Sequence, residues 1–563
     1  MPAALEIPAM NLRGRVAGAS WSYLLPSLEL GRVVCVGPVS AAELATLARI
    51  GREVLLVDPV ARRDPEVVKN VRLVPDLDSV DLPDASVDLI RIAGGASDDG
   101  PSSTEIARLG RLLATDGRIY LEEIQPSGGR SVRSRDAYLG HGLAVAGEFV
   151  LHPTRGEPRE ALPVGDQGVL TYVERTRLAG TSPRARLAGR LRVVDIGRPP
   201  ARTAVLLGRA DVVTPNAGPP EYLASILGSA GLEVPRRWCL LARGQFNSQK
   251  VLAVGFSAHG DEPSLIVKLP REPALDARLE NEGRALRALE AVPAAAGRVP
   301  RALAAGSHGG LSILAESIVL GRPFRDTGKG ALGLVALRDA VAFLGDLARE
   351  TVIPAEPAAM ATELREILDR FVLLYRIEPR HARALEDLVG TVAGHRGTVP
   401  RVFQHGDPGV WNLLVTERGG AAFLDWESAE SHGVPLWDVL YLLRSYVVSA
   451  GRLGGFRSRT QAFSRTFVGR SSLSGLVLDT VDDYRRAIDL PAALVYPLFV
   501  TCWMHRAVKE ASRLALERRE QGTYVRLVRL SLDGNGPTLD GIRRGWTGRV
   551  ETSGRRDVGG AGR

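Results

Sequence analysis

The sequence predicts two folds in tandem: an N-terminal α/β domain with a doubly wound parallel sheet, then an α+β domain of two lobes. Short apolar strands alternate with helical stretches from about residue 30 to residue 122, the pattern of a parallel sheet wrapped by helices. From Trp238 onward β-runs come first and helix-period segments dominate afterwards. At 563 residues the chain has room for both. The expected organisation is 1–177 for the first domain, 178–220 for a linker with short strands, 221–547 for the second domain and 548–563 for a disordered tail.

In the first part, Arg32 to Gly37 is an apolar strand, Ala41 to Ile50 a helix, and Glu53 to Asp58 a second strand ending in an acid. Val71 to Val74 and the run into Ile90 add two strands, and a helix from Thr104 to Leu113 leads into Ile119-Tyr120-Leu121-Glu122. The segments Leu82-Pro83-Asp84-Ala85-Ser86-Val87-Asp88-Leu89 and Arg111-Leu112-Leu113-Ala114-Thr115-Asp116-Gly117-Arg118 make residues 30–175 resemble class I S-adenosylmethionine-dependent methyltransferases, a Rossmann-like fold. The resemblance assigns Asp58 to cofactor ribose hydroxyls. The first loop departs from the family: Gly37-Pro38-Val39-Ser40 has one glycine, Pro38 lacks an N–H, and Val33, Val34 and Cys35 stand where the usual first-strand acid would be. A scaffold or degenerate cofactor domain fits these residues better than a working methyltransferase. Beyond it, Leu178 to Pro220 is rich in Gly, Pro and Arg, with Thr214 to Pro220 the clearest linker.

In the second part, Trp238 to Ala242 and Lys250 to Phe256 flank Arg243-Gly244-Gln245-Phe246-Asn247-Ser248-Gln249 as a hairpin. Leu265-Ile266-Val267-Lys268-Leu269 is an apolar strand with a central lysine. Only five of the 72 basic residues are lysines (Lys69, Lys250, Lys268, Lys329, Lys509), so a lysine in mid-strand suggests a need for a compact point charge. Leu279 to Leu289 reads as an amphipathic helix and Leu311 to Ile318 as an apolar strand.

The densest chemistry lies in Gln404-His405-Gly406-Asp407-Pro408-Gly409-Val410-Trp411-Asn412, followed by Phe423-Leu424-Asp425-Trp426-Glu427. An Asp, an Asn five residues later and a second Asp after a short apolar run are the parts a phosphoryl-transfer site needs. Asp407 accepts a hydrogen bond from the attacking hydroxyl; Asn412 and Asp425 hold Mg²⁺. The segment resembles the aminoglycoside phosphotransferase and choline kinase family, which implies a protein-kinase-like fold and an ATP- or GTP-dependent small-molecule kinase. By that resemblance Lys268 binds nucleotide phosphates and pairs with Glu282, with Glu280 as the alternative. Gly244, Asn247 and Ser248 close over the phosphates, and backbone groups of Glu316, Ser317 and Ile318 read the base. Asp438, in Gly433-Val434-Pro435-Leu436-Trp437-Asp438, braces the catalytic loop.

Other classes recede. A net charge of +8 would suit nucleic acid, but the arginines are dispersed among acids, so no nucleic-acid partner is expected. Cys35, Cys239 and Cys502 lie far apart, which points to a reducing cytoplasmic setting. No signal peptide is visible. The apolar run from Leu490 to Met504 is short and broken by Pro491 and Pro497, so it reads as a buried helix with no stable membrane insertion. The expected ligands are Mg²⁺, ATP or GTP, and a hydroxylated small molecule, with S-adenosylmethionine left open. Asp482 and Asp483 fit either a cationic amino sugar or a solvated helix face. Oligomeric state and acceptor identity are not legible.

Overall fold

The computed structural model describes residues 19–57, 69–92, 102–125, 138–153, 156–178, 201–214, 218–242, 250–324, 331–451 and 456–546. The chain divides into two compact units. Unit 1 comprises residues 1–283 and 300–318, and unit 2 comprises 284–299 and 319–563.

Unit 1 begins, after a 3₁₀ turn at Ser20–Leu24, with β1 (Leu30–Val36), α1 (Ala41–Ile50), β2 (Gly51–Val57), β3 (Val71–Val74), β4 (Val87–Ile92), α2 (Ser103–Leu112) and β5 (Leu113–Gln125). Both helices start where sequence dictates: Ser40 caps α1 by accepting from Glu43 N–H, and Ser102 and Glu105 form a capping box on α2. β1 pairs in parallel with β2 and β4, β2 with β3, and β4 with β5. This gives the order β3-β2-β1-β4-β5 of a doubly wound, Rossmann-like sheet, with its switch point between β1 and β4. The apolar strands are buried on both faces, as parallel sheets require.

The sheet then continues. β6 (Leu143–His152), β7 (Glu160–Pro163), α3 (Gln167–Leu178), β8 (Ala201–Arg209), α4 (Glu221–Ser229) and β9 (Arg237–Leu241) follow in the chain. β8, from the stretch read as linker, lies antiparallel between β5 and β6. β7 meets β9 through the pairs Glu160 with Leu241 and Ala161 with Leu240. Beyond β9 come β10 (Lys250–Phe256), β11 (Pro263–Pro270), α5 (Asp276–Leu289), β12 (Ala302–His308) and β13 (Leu311–Ser317). One thirteen-stranded sheet therefore runs in the order β12-β13-β11-β10-β9-β7-β6-β8-β5-β4-β1-β2-β3. One apolar cluster likewise includes Val33 and Leu89 of the parallel strands and Leu240, Val251, Val267 and Ile313 of the antiparallel ones.

The 3₁₀ turn ties these parts together. Trp21 stacks on Tyr120, Tyr23 Oη donates to Pro270 O (3.0 Å), and Arg271 donates to Ser20 Oγ (2.8 Å). Trp21 Nε1 also donates to Glu43 Oε1 (3.1 Å). Glu43 accepts in addition from Arg91 Nε (3.0 Å) and Nη2 (3.1 Å), while Arg91 Nη1 donates to Pro38 O (2.8 Å).

Unit 2 is mainly helical, with α6 (Ala331–Thr351), α7 (Pro357–Leu374), α8 (Pro379–Ala393), α9 (Trp437–Gly451), α10 (Arg459–Phe463), α11 (Ser474–Ala487), α12 (Ala492–Ala511), α13 (Thr523–Asp533) and α14 (Pro537–Arg543). Its strands are β14 (Arg322–Pro323), β15 (Ile353–Ala355), β16 (Val399–Gln404), β17 (Leu413–Val415), β18 (Ala421–Phe423) and β19 (Glu430–Gly433). They form two three-stranded sheets, β14-β17-β18 and β15-β16-β19. The apolar run expected to be a buried helix is α12, where Leu498, Phe499, Trp503 and Met504 are fully buried. Among the described residues no single helix is long and apolar enough to cross a membrane. A small antiparallel sheet with one helix, followed by a helical unit, is the α+β composition of a protein-kinase-like fold.

The Arg91–Glu43 pair is nearly closed to water, so removing one partner leaves a buried, uncompensated charge. Glu43→Ala is expected to destabilise the chain by about 3–5 kcal/mol, and Glu43→Leu combined with Arg91→Met to recover most of that loss. Urea denaturation of the three chains measures both.

Candidate active site

The antiparallel strands of unit 1 gather four ionisable groups. Lys268 sits on β11 opposite Leu252 of β10, and Lys250 opens β10. α5 supplies Glu282, which has no solvent exposure. Glu282 Oε1 lies 2.7 Å from Lys268 Nζ, and its Oε2 lies 2.7 Å from Lys250 Nζ. Lys268 Nζ also stands 2.8 Å from Glu316 Oε2 on β13. Buried charges persist only when paired, and here each acid has an ammonium against it. Burial pushes the Glu316 carboxyl up to about 7; Lys268 opposes this and the neighbouring Glu282 adds to it. Glu316 Oε1 has no hydrogen-bond partner among the described residues, which favours the protonated form.

These positions refine the sequence reading. Glu282, not Glu280, meets Lys268: Glu280 accepts from Ser312 Oγ at an exposed site. Lys250 was not singled out, although its rarity in an arginine-rich chain was the available signal. The base-reading expectation for Glu316 and Ser317 needs correction. Glu316 has a strand on each side, opposite Ile266 and Ala302, so its contribution is a side chain aimed at Lys268. Ser317 N–H donates to Arg301 O (3.0 Å), and Ser317 Oγ accepts from Arg301 N–H (2.9 Å). Ile318 lies just past β13. Gly244, Asn247, Ser248 and Asp58 fall outside the described residues.

In unit 2 the segment that carries Asp407 leaves the fully buried β16 and turns at Gly406, whose φ is +76°. A Cβ there would lie 1.9 Å from Ser428 O, so only glycine fits. Asp438 at the start of α9 accepts from His405 N–H (2.6 Å) and Gly406 N–H (3.1 Å), the bracing role expected of it. His405 Nε2 donates to Leu424 O (2.9 Å), so its Nδ1 accepts from Asp407 N–H (3.2 Å).

Asp407 is thereby presented with 30% of its side chain exposed. Arg506 of α12 approaches it, with Nη1 3.1 Å from Asp407 Oδ1 and Nη2 donating to Gly406 O (2.9 Å). The guanidinium lies 3.4 Å from the centroid of the Tyr441 ring. Burial alone would raise Asp407, but Arg506 foremost, with the Tyr441 hydroxyl and Lys509, outweighs it and holds the carboxyl below its usual range. Arg506 was missed by sequence reading; a cation in the last turns of an apolar helix was its signal.

Asn412 and Asp425 come from adjoining segments, because Leu424 N–H donates to Asn412 O (2.8 Å). Asn412 Nδ2 donates to Asp407 O (3.0 Å), which turns the amide oxygen, the atom able to ligate a cation, the other way. Asp425 adopts the left-handed conformation at φ +67°, a strained geometry that clusters at functional sites. The buried Trp426 that follows donates from Nε1 to Phe423 O (3.2 Å) and packs on His405. Among the described residues no cluster of three or more His, Cys, Asp or Glu is arranged to hold a metal. The Asp425 carboxylate and the Asn412 amide oxygen are hard oxygen donors of the kind a divalent cation could take.

Two outcomes follow from this geometry. Gly406→Ala is expected to cost about 3 kcal/mol, read as a lowered urea midpoint, because backbone strain and the Ser428 contact cannot both relax. For Glu316, the folded state holds a proton that the unfolded state has already released between roughly pH 4.5 and 7, so stability falls as pH rises across that window. Urea midpoints from pH 5 to 8 should decline more steeply in the wild type than in Glu316→Gln.

Residues 246–472 match the model of a phosphotransferase enzyme family, designated APH. No curated protein matches the chain in sequence. Aminoglycoside phosphotransferase APH(3'')-Id from Streptomyces rimosus, in complex with ADP and streptomycin, aligns at 15% identity and TM-score 0.31, over 54% of this chain and 98% of that one. A choline/ethanolamine kinase family protein from Mesorhizobium loti aligns at 17% identity and TM-score 0.32, over 57% and 98%. A putative sarcosine dimethylglycine methyltransferase from Galdieria sulphuraria aligns at 13% identity and TM-score 0.22, over 34% and 79%. The C-terminal part of the chain thus contains a domain of the APH phosphotransferase family.

Proposed function

We propose that the protein transfers the terminal phosphoryl group of ATP, or of GTP, to a hydroxyl of a small molecule. The observation that carries this reading is the presentation of Asp407 beside Asn412, on a loop braced by Asp438 and tied through Leu424 to Asp425. In the step, the acceptor oxygen bonds to the γ-phosphorus as the bridging bond to the β-phosphate breaks. The hydroxyl proton moves toward Asp407, and the nucleoside diphosphate carries away the displaced charge. A carboxyl held below its usual range is a weak base, so Asp407 acts chiefly by orienting the hydroxyl. Asn412 and Asp425 would hold Mg²⁺, whose charge would offset that of the phosphates. Lys268, fixed by Glu282, is the ligand for nucleotide phosphates, and Lys250 shares its carboxylate. Positioning and charge neutralisation supply the rate. Cys35, Cys239 and Cys502 are buried, and none of them is in a disulfide.

We read the doubly wound part as a scaffold. At its switch point Gly37 allows close backbone approach (φ +87°), but Pro38 offers no N–H and its carbonyl is taken by Arg91. The first-turn acid of α1, Glu43, is saturated by Arg91 and Trp21.

Asp407→Ala should abolish formation of ADP and phosphorylated acceptor while keeping the thermal shift produced by Mg·ATP. Lys268→Ala should lose that shift, which for the wild type at a hundred times Kd corresponds to about 2.7 kcal/mol of added stability. S-adenosylmethionine should produce no shift in the full chain. Loss of the nucleotide shift in a folded Asp407→Ala chain would count against its role, and a shift with S-adenosylmethionine against the scaffold reading.

A further inference from the structure

The surroundings of Asp407 bear on what it phosphorylates. α12 places Lys509 three residues after Arg506, on the same face of the helix. Arg506 is fully engaged by Asp407, Gly406 O and the Tyr441 ring. The Lys509 ammonium is not: among the described residues it makes no hydrogen bond and no ion pair within 4 Å, and only the carbonyl of this residue is used, by Ser512 Oγ. The charged groups that bear on it are Arg506, which repels it, and Glu430, Asp407 and Asp438, which attract it. Asp407 is committed to Arg506 and Asp438 to the catalytic loop. Burial pushes the Glu430 carboxyl up, so it is a poor counter-ion. Burial, then Arg506, lowers Lys509 as well, the mark of a half-sequestered cation awaiting an anion.

The neighbouring helix repeats the pattern. α9 carries Tyr441 and, one turn on, Arg444, whose Nε is buried without a hydrogen-bond partner among the described residues. Arg444 Nη1 donates to Tyr524 Oη (3.2 Å), which in turn donates to Tyr441 Oη (3.4 Å). Trp411, half exposed, stands edge-on to Tyr441 at 6.0 Å and offers a flat apolar surface. The acids that would greet an amino sugar are spent or elsewhere. Both Asp482 oxygens are taken, by Arg485 (2.6 Å) and Arg486 (2.5 Å), and Asp483 is exposed on α11.

We propose that the acceptor is a hydroxylated small molecule carrying an oxyanion, a carboxylate or a phosphate, and that Lys509 is the residue that binds this group. The proposal rests on the phosphotransfer reading for the acceptor's hydroxyl but not for the anion site itself. A polycationic aminoglycoside would meet like charge at Arg506 and Lys509, whereas an oxyanion supplies the counter-ion that Lys509 lacks. An ammonium is suited to this, since it turns to whichever oxygen arrives.

Two arms test it on the full chain. In the first, inorganic phosphate is titrated calorimetrically into wild type, K509Q, K509R and K268M. Binding about tenfold weaker or worse in K509Q, but retained in K509R and K268M, is expected. No binding to wild type, or equal binding in K509Q, overturns the site. In the second, ADP formation from Mg·ATP is followed with glycerate against glycerol, glucose 6-phosphate against glucose, and kanamycin. Turnover should favour the acids over their neutral counterparts, with K509Q raising KM for glycerate or glucose 6-phosphate; the better of these two tells carboxylate from phosphate. Preference for kanamycin overturns the proposal. So does a kcat loss in K509Q that is the same for acid and neutral acceptors, which would put Lys509 on the transferred phosphoryl group. If no acceptor yields ADP, the phosphotransfer reading fails and the phosphate titration alone decides the anion site.

Discussion

A carboxylate shut away from water must find donors, and Asp438 finds them in two consecutive main-chain N–H groups, those of His405 and Gly406. Much of the segment that carries Asp407 follows from that single demand. Two adjacent N–H groups converge on one carboxylate only if the chain bends sharply between them, which places Gly406 in the left-handed region. The bend sends the His405 ring toward Leu424 and leaves Asp407 facing outward. Leu424 in turn fastens the Asn412 loop to the strand that ends before Asp425. A brace buried beneath the loop therefore fixes the positions of three side chains that do not touch it.

How much of this could be read from sequence depended on how local each feature is. Asp407, Asn412 and Asp425 were legible because their spacing is set by one loop and one short hairpin, and Asp438 because it follows closely. Arg506 was not: its partner Asp407 lies 99 positions away, and helix α12 announces itself by apolar content rather than by its one engaged cation. Lys250 and Lys509 were countable as rare lysines, yet rarity does not say which carboxylate a lysine meets or lacks. Glu316 was assigned through its main chain because strand-to-loop transitions expose backbone groups; only the tertiary pairing of β13 with β11 and β12 shows that its backbone is enclosed and its side chain turned to Lys268. For the fold, apolar runs located most strands of the doubly wound sheet. The nine-residue β8 was obscured by the Gly, Pro and Arg around it, since a strand between two antiparallel neighbours needs no more than a short apolar core.

The two charge clusters illustrate opposite solutions to burial. In unit 1, two lysines and two acids share three close contacts and match in number, and burial pushes one of the acids, Glu316, upward. In unit 2, the arginine beside Asp407 is matched while the lysine one turn away is not. The first arrangement is closed and tends to fix geometry. The second is open, with attraction left over for a visitor.

The thirteen-stranded sheet of unit 1 has a consequence for how the chain can be divided. The join between β7 and β9 rests on two residue pairs, but Leu240 and Leu241 there belong to two apolar clusters, each of which takes in residues of β7 and of β10. A fragment beginning near residue 220 would expose β9 as a bare edge, with unpaired main-chain groups and an uncovered apolar face, the state that invites chains to pair with one another. The front half then acts as a permanent edge protector for the strands that carry Lys250 and Lys268, an intramolecular chaperone whose service does not depend on retaining any chemistry of its own.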